Sequence, residues 1–425
     1  MKLVCAPKDY PFAGTGDAVK VILYGHADRQ TRGSAGAAVR DEIVREKLHA
    51  AAMAWDLLSV ALSVTAADLA GHRKTSPDGW TREFELEISV TDPDFWNGQR
   101  ELVRNLLGFL TTDRWQISFI GGGISPVPEG DPVCPEEDCI TLLSGGLDSF
   151  IGSIDLEGNG KRAFAVSQVV RGDADKQRSF ARAIGGGLRH LQVNHNTQVP
   201  NPENPPSQRA RSLIFIAYGV LAATTLARYH AGGNVMLYMC ENGFISINPP
   251  LTGARLGSLS TRTTHPVVLG LLQRLIDVAG LRVRVQNPYQ LKTKGEMLHE
   301  CADKALLSAH AAETTSCGRF KQFGYTHCGR CIPCLVRRAA FLASGLTDKT
   351  KYVYVDLGRD DEDYAGFDDV RSVAMALAEI ESEGLEAWIG TSLSTILLGD
   401  IGPVQAMVDR GMKELGSLFE LHGVK

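Results

Sequence analysis

The sequence lacks the features that mark several large classes of protein. Basic residues are not in excess, since the formal net charge is -5, whereas a protein that grips tRNA or DNA usually carries a basic face. No apolar run reaches the roughly 20 residues that span a bilayer. The longest uncharged run, residues 212–227, predicts a buried core helix. We therefore expect no nucleic acid partner and no membrane insertion.

A secretory leader and a disulfide framework are not indicated either. Residues 1–10 contain no apolar segment of useful length, so we expect a cytoplasmic protein. Four of the nine cysteines cluster between residues 317 and 334, and the others are scattered. In a long chain without a leader, such a cluster predicts a metal site rather than disulfides.

The length and the order of sequence patterns predict several domains. A chain of 425 residues is too long for one typical core. Residues 1–123 combine a helical segment with alternating apolar positions, which predicts an N-terminal α+β domain of unknown role. Residues 124–138 have the proline-rich composition of a linker, and residues 357–425 read as a helical C-terminal extension. Between them, residues 139–356 alternate strands with helices, which predicts an α/β fold with a parallel sheet covered by helices on both faces.

A short apolar strand at residues 140–143 leads into a glycine-containing segment that is suited to binding phosphate. The two glycines permit positive φ, so backbone N–H groups can turn toward an anion, and a helix start follows directly. A simple strand-to-helix turn is the alternative reading. Without a Gly-Lys-Ser/Thr ending the segment is not a Walker loop. The candidate ATP-binding residues are Ser144, Gly145, Gly146, Leu147, Asp148 and Ser149.

The cysteine cluster has the spacing of a metal site. Cys317 is followed by Cys328, Cys331 and Cys334, and two-residue gaps allow thiolates to converge on one tetrahedral ion. Four thiolates leave no open coordination position, which predicts a structural Zn²⁺. An iron–sulfur cluster and free buried thiols are the alternatives. His327 is a further possible ligand, but we expect it to face solvent.

Together these motifs resemble 7-cyano-7-deazaguanine synthase (QueC), a family of pyrophosphatase-loop ATPases. The resemblance rests on the Ser-Gly-Gly-Leu-Asp-Ser segment, the cysteine motif with its following Arg-x-x-Ala-Phe-like helix, and a Thr-Lys segment at residues 293–294. It spans residues 140–341. It implies an adenine nucleotide α-hydrolase-like fold, with ATP and Mg²⁺ as cofactors beside Zn²⁺. The longer layout resembles the QatC component of a bacterial anti-phage system.

The resemblance also implies roles for individual residues. Catalysis is assigned to Ser144, Asp148, Ser149 and Lys294. Binding of a 7-deazaguanine-type substrate is assigned to Arg209, Arg211, Glu241 and Asn242. A carboxylate such as Glu241 can accept hydrogen bonds from the amino and imino groups of a guanine-like edge. A turn at residues 241–243 is the alternative reading, and the segment departs from the usual family pattern.

The activity implied is that of an AMP-forming C–N ligase. A 7-deazaguanine carboxylate would be adenylated, and an amine would then take the acyl group. Ammonia as acceptor gives the family's own reaction, whereas a protein amine from the same defence operon would give a tagged protein. The alternatives are a tRNA-thiolating enzyme, an NAD-synthetase-like enzyme, and a non-catalytic subunit that senses ATP.

Overall fold

In the computed structural model, the chain forms two parallel β-sheets that are flanked by helices. The structure describes residues 1–12, 16–27, 31–170, 172–204, 211–251, 264–358, 369–393 and 399–424. Each sheet has five strands, and helices follow the second sheet toward the C-terminus. The predicted α/β class with a helical C-terminal region is confirmed.

The first sheet is N-terminal. Its strands are β1 (Lys2–Ala6), β2 (Val19–Leu23), β3 (Arg32–Ala35), β4 (Glu83–Ser89) and β5 (Arg114–Ile120). They pair in the order β3-β2-β1-β4-β5, in parallel throughout. The helices are α1 (Ala37–Arg45), α2 (Ala52–Ala70), α3 (Pro93–Gly98) and α4 (Arg100–Thr111), with a 3₁₀ turn at Arg73–Thr75. The strands and helices expected in this region are therefore present, and their pairing adds that the sheet is parallel.

The second sheet carries the candidate phosphate-binding segment, residues 144–149, which we call the phosphate loop. Its strands are β6 (Cys139–Leu142), β7 (Ala163–Gln168), β8 (His190–Val193), β9 (Val235–Tyr238) and β10 (Val283–Gln286). Its first helices are α5 (Leu147–Gly158), α6 (Ala174–Ala183), α7 (Arg211–Ala223), α8 (Ala227–His230), α9 (Gly243–Ile247) and α10 (Pro266–Val278). These are followed by α11 (Lys294–Glu300), α12 (Lys304–His310), a 3₁₀ turn at Ala311–Glu313, and α13 (Ile332–Ser344).

The strand order of this sheet creates a crevice at its centre. The order is β10-β9-β6-β7-β8, all parallel, so the chain moves outward from β6 in one direction and then returns to β9 on its other side. In open parallel sheets, ligands bind at such a reversal, outside the carboxyl ends of the strands. The loops after β6 and β9 therefore lie side by side where a ligand is expected.

Two buried helices join the sheets into one core. α2 and α7 pack together, and apolar side chains from both sheets contribute to the same cluster. α2 is long and apolar enough to cross a membrane, because an 18-residue stretch of it has a mean hydropathy of 1.4. However, 83% of that stretch is buried inside the protein. Such burial is typical of a core helix. α7 is likewise buried, as the uncharged run of residues 212–227 predicts.

Segments without helix or strand connect the two sheets. Residues 121–138 run between β5 and β6, where the Pro135 carbonyl accepts a hydrogen bond of 2.8 Å from the Ala227 amide. The loop after β8 returns to the first sheet, and Ser34 of β3 exchanges two backbone hydrogen bonds with Gln198, at 2.9 and 2.8 Å. The described part of this proline-rich loop, up to residue 204, is thus held against the N-terminal region.

The C-terminal helices pack on the second sheet's helices. They are α14 (Asp369–Glu383), α15 (Leu385–Leu393) and α16 (Gly402–Leu421). α16 contacts both α13 and α9, and its buried side chains Met412, Leu415 and Leu418 join a separate apolar cluster with Leu335 of α13. Full burial of one such side chain contributes about 1.5–3 kcal/mol, so this contact holds α16 firmly in place.

Candidate functional site

The segment after β6 forms a compact loop that leads into α5. Gly145 has φ of 89°, a conformation that glycine adopts without strain. The Ser149 hydroxyl accepts from the Ser144 amide at 3.2 Å and donates to the Gly146 carbonyl at 3.0 Å, so it closes the turn. In the described part of the chain, no side chain caps α5. The N–H groups of its first turn are therefore free to meet an anion.

Asp148 lies in the first turn of α5 between two polar partners. Its Oδ2 accepts hydrogen bonds from the Asn242 side-chain amide at 2.6 Å and from the Asn242 backbone at 3.2 Å. Its Oδ1 lies 2.7 Å from Lys294 Nζ, and both side chains are more than 90% buried. These contacts bring together Asp148 at the start of α5, Asn242 in the loop after β9 and Lys294 at the start of α11.

Asn242 is fully engaged within the protein. While its amide nitrogen donates to Asp148, its side-chain oxygen accepts from the Ile245 amide at 3.0 Å and caps α9. Both ends of the side chain therefore have protein partners. This geometry fits an orienting role for Asn242 better than direct contact with a substrate.

Glu241 lies beside the Asp148–Lys294 pair, and the pKa of its carboxylate is clearly displaced. Burial, reinforced by the negative charge of Asp148, raises its pKa to about 7. Thr264 donates to its Oε2 at 2.9 Å, and the Asn287 side chain donates to its backbone carbonyl at 2.7 Å. A carboxylate near neutrality can lose or keep its proton at physiological pH. The polar residues 260–263 that precede Thr264 in sequence lie outside the described residues.

The four clustered cysteines converge as their spacing predicts. Their Sγ atoms lie within 4.8 Å of one another, and all four side chains are buried. A tetrahedral Zn²⁺ with Zn–S bonds of about 2.3 Å places its sulfurs about 3.8 Å apart. The Cys317–Cys331 and Cys328–Cys334 distances are 3.8 and 3.9 Å. Backbone N–H groups of Arg319 and Cys328 also point at Cys317 Sγ. The residues fit a four-thiolate metal site.

His327 does not face solvent, so that expectation is wrong. The ring is buried, and its Nε2 accepts a hydrogen bond of 3.1 Å from the Ser316 amide. Burial lowers the pKa of His327 to about 4. A neutral ring is the form that can accept from an amide. His327 therefore fixes the backbone next to Cys317.

A buried arginine connects the cysteine segment with the phosphate loop. Arg337 of α13 donates to the hydroxyls of Thr314 at 2.9 Å and Ser316 at 3.0 Å. Between these two residues, the Thr315 amide donates to the Gly145 carbonyl at 2.9 Å. The turn that carries the first cysteine thus also supports the loop after β6.

Comparison with known proteins assigns the chain to a family. It is 39% identical to the 7-cyano-7-deazaguanine synthase of Thiobacillus denitrificans, over half of this chain and 97% of that protein. The chain belongs to the 7-cyano-7-deazaguanine synthase family. The synthase of Methanocaldococcus jannaschii is 35% identical over half of this chain and 98% of its own length, and that of Xylella fastidiosa is 25% identical over 94% of its length. No family model and no solved structure matches the chain.

In this member of the 7-cyano-7-deazaguanine synthase family, two residues near the site were not predicted from the sequence. Lys176 of α6 donates to Thr315 Oγ1 at 2.9 Å, and its Nζ lies 4.4 Å from the centre of the Phe320 ring. The Gln177 side chain donates to the Ser144 carbonyl at 3.0 Å. Both follow β7, whose carboxyl end adjoins that of β6. That position in a parallel sheet was the available signal.

The two predicted arginines have different outcomes. Arg209 lies outside the described residues. Arg211 begins α7, where desolvation lowers the pKa of its guanidinium and the charge of Asp173 partly offsets that effect. Asp173 accepts from Thr315 Oγ1 at 2.9 Å, so the charge facing Arg211 belongs to the surroundings of the phosphate loop. Arg211 therefore interacts electrostatically with Asp173, the residue that precedes α6.

Proposed function

We propose that this protein uses ATP to adenylate a 7-deazaguanine carboxylate and then transfers the acyl group to an amine. The relatives carry the name 7-cyano-7-deazaguanine synthase, and the observation that supports the proposal most is the loop at residues 144–149. It offers the free N–H groups of α5 in the crevice of the parallel sheet, next to Lys294 and Glu241.

The chemistry needs few groups from the protein. A carboxylate oxygen of the substrate attacks the α-phosphorus of ATP, and the bond to the pyrophosphate oxygen breaks. Pyrophosphate leaves into the loop of Ser144 to Ser149, where backbone N–H groups and hydroxyls receive its charge. An amine then attacks the acyl carbon, loses a proton and displaces AMP. The ammonium of Lys294, which pairs with Asp148, is proposed to offset the charge that develops on the phosphates.

Mg²⁺ and Zn²⁺ have separate places in this proposal. Mg²⁺ bound with ATP would neutralise phosphate charge, and Asp148 is the carboxylate of the loop at residues 144–149 that would hold it. Zn²⁺ would be held by Cys317, Cys328, Cys331 and Cys334. With four thiolates it has a structural part, which is to fix the turn that supports Gly145.

Substrate recognition is assigned to Glu241, with Asn242 acting through Asp148. The Glu241 carboxylate lies beside the loop and can accept from the N–H groups of a guanine-like edge. Arg211, and Arg209 by its position in the sequence, are proposed to bind substrate or phosphate oxygens from the α6 side. Residues 139–356 form the catalytic region in this proposal, with residues 124–138 as linker.

The extra regions are proposed to serve a protein acceptor. The relatives match half of this chain, and in this proposal residues 1–123 and 357–425 are the regions added to the catalytic one. An added region can present the amine of a partner protein to the acyl-adenylate, as expected for a component of an anti-phage defence operon. Ammonia would need no such region, and its use would make the protein a nitrile-forming synthase in a larger shell.

The test is to identify the product that carries the acyl group. Purified protein is incubated with ATP, Mg²⁺ and 7-carboxy-7-deazaguanine, with ammonia in one arm and with co-encoded proteins in the other, and products are weighed by mass spectrometry. AMP together with a mass increment on a protein supports the proposal. AMP with free nitrile assigns ammonia as the acceptor. An absence of AMP in every arm, with ATP still bound, would favour a subunit that senses ATP.

A further inference from the structure

α16, which lies close to the C-terminus, contacts the elements that carry the phosphate-loop partners. Phe244 of α9 packs against Gly411, where a Cβ would lie 2.2 Å from the ring. Met407 lies against Gly243, the residue after Asn242. α9 thus packs against α16, a helix that follows it by more than 150 residues in the sequence. The same helix reaches α11.

Two side chains of α16 hold the first turn of α11. Arg410 donates to the Glu296 carboxylate at 2.6 Å and to the Leu291 carbonyl at 2.9 Å. Glu414 accepts from the Thr293 hydroxyl, and its carboxylate lies against the Gly295 backbone. Thr293 and Glu296 form the capping box of α11, so both α16 side chains act on its cap.

Lys294 lies at the centre of these contacts. It is the first residue of α11, between Thr293, whose hydroxyl donates to Glu414, and Gly295, against which the Glu414 carboxylate lies. A Cβ on Gly295 would lie 2.4 Å from Glu414 Oε1, so the glycine permits this close approach. One carboxylate therefore contacts the residues on both sides of Lys294. The backbone there determines whether Nζ reaches Asp148 Oδ1, at 2.7 Å.

We infer that Glu414 is a positioning residue, which orients Lys294 toward Asp148 and the phosphates of ATP. The inference rests on the proposed function, because it takes Lys294 as the phosphate-facing cation. Glu414 lies 270 residues after Ser144, a separation longer than the half of this chain that the relatives match. The C-terminal helix is thereby part of the catalytic apparatus and not only an added surface.

The experiment is a double-mutant cycle in the full-length protein. The variants are Glu414→Ala, Lys294→Ala and their combination, with Glu420→Ala as an exposed control on the same helix. AMP formation is measured at varied ATP, affinity for α,β-methylene-ATP is measured in parallel, and thermal melting reports folding. A small displacement of a catalytic group can cost about 100-fold in rate, and we expect Glu414→Ala to lower kcat by that order. Adding Glu414→Ala to Lys294→Ala should lower it no further.

The outcomes separate this inference from the proposed function. If wild-type protein forms no AMP, the proposed function fails, and the same cycle is read from the affinity for the ATP analogue. Equal, non-additive losses in the two single variants support the positioning role, and Glu414→Gln, which keeps one acceptor oxygen, should recover part of the loss. Losses that add, or a Glu414→Ala protein with wild-type rate and affinity, would overturn it. A fall in melting temperature alone, with kcat and affinity unchanged, would also overturn it.

Discussion

The backbone N–H of Thr315 donates a hydrogen bond of 2.9 Å to the carbonyl oxygen of Gly145. Two residues further along the chain, Cys317 belongs to the four-cysteine cluster. The cluster and the phosphate loop are thus separated by a few covalent bonds and one hydrogen bond. Because the turn at residues 314–317 supports Gly145, damage to the cysteine cluster should be felt in ATP binding.

Replacing Cys328 by serine should remove the bound metal and destabilise the second sheet. Loss of a structural metal belongs to the changes that cost about 4 kcal/mol or more in the free energy of unfolding. Metal content, the free energy of unfolding measured by chemical denaturation, and the affinity for ATP should all fall together. Cys134→Ser, which changes an exposed cysteine outside the cluster, is the control. Full metal content in Cys328→Ser would contradict the assignment of ligands.

Replacing Arg337 by lysine should weaken ATP binding without removing the metal. Its guanidinium donates to three hydroxyls and to the Ala311 carbonyl, and an ammonium cannot reproduce that fork. Each hydrogen bond that involves a charged group contributes about 1.5–3 kcal/mol, so we expect the free energy of unfolding to fall by roughly 3 kcal/mol or more. Arg104→Lys, at an exposed site on α4, is the matched control. Unchanged stability and ATP affinity would argue against the link through Thr314 and Ser316.

The raised pKa of Glu241 predicts a stability change with pH. Burial lifts it from the ordinary value of 4.5 to about 7, so the folded state holds this proton more tightly than the unfolded state. The contribution of Glu241 to stability is therefore full below about pH 4.5 and declines as the pH rises toward 7. Denaturation of wild type and Glu241→Gln across this range checks it, because the glutamine variant should lack the decline. Parallel curves for the two proteins would contradict the pKa.

The same proton should govern substrate binding. Only ionised Glu241 can accept two N–H groups from a guanine-like edge. The kcat/KM for the acid should therefore rise as the pH passes through about 7, and Glu241→Gln should remove that rise. A wild-type profile that is flat in this region would count against Glu241 as the group that reads the base.

Two glycines of α16 give a matched pair for testing how tightly it packs. Gly411→Ala places a methyl group 2.2 Å from Phe244, whereas at Gly416 the nearest atom, from Leu377, lies 3.8 Å away. Overpacking of this kind costs about 1–3 kcal/mol, so Gly411→Ala should destabilise the protein. Gly416→Ala should stabilise it by up to about 1 kcal/mol because alanine is the better helix former. Equal effects of the two changes in denaturation experiments would contradict the contact of α16 with α9.

Local motifs could be predicted from the sequence because their geometry is local. Six consecutive residues make the phosphate loop, and two-residue gaps bring Cys328, Cys331 and Cys334 together without help from distant segments. The alternation of Phe84 and Leu86 with glutamates likewise identified β4. The same alternation does not report strand direction, because β4 pairs in parallel with β5 while keeping one face exposed.

Contacts between distant segments were beyond prediction. Glu414 and Arg410 are about 120 residues away from the cap of α11 that they hold, and neither belongs to a motif. The engagement of Asn242 with Asp148 depends on β9 lying next to β6, which a crossover topology decides. His327 looks like a surface residue in sequence, and only the folded turn reveals that it receives the Ser316 amide.

The central claim is that the protein activates an acid by adenylation, and pyrophosphate exchange tests it without any acceptor. Wild-type protein is mixed with ATP, Mg²⁺ and radiolabelled pyrophosphate, with and without 7-carboxy-7-deazaguanine. We predict label in ATP only when the acid is present, with a fall of about 100-fold or more in Asp148→Asn. Asp175→Asn, at an exposed position of α6, should leave exchange unchanged. No exchange with the acid, or exchange that does not need it, would contradict the account.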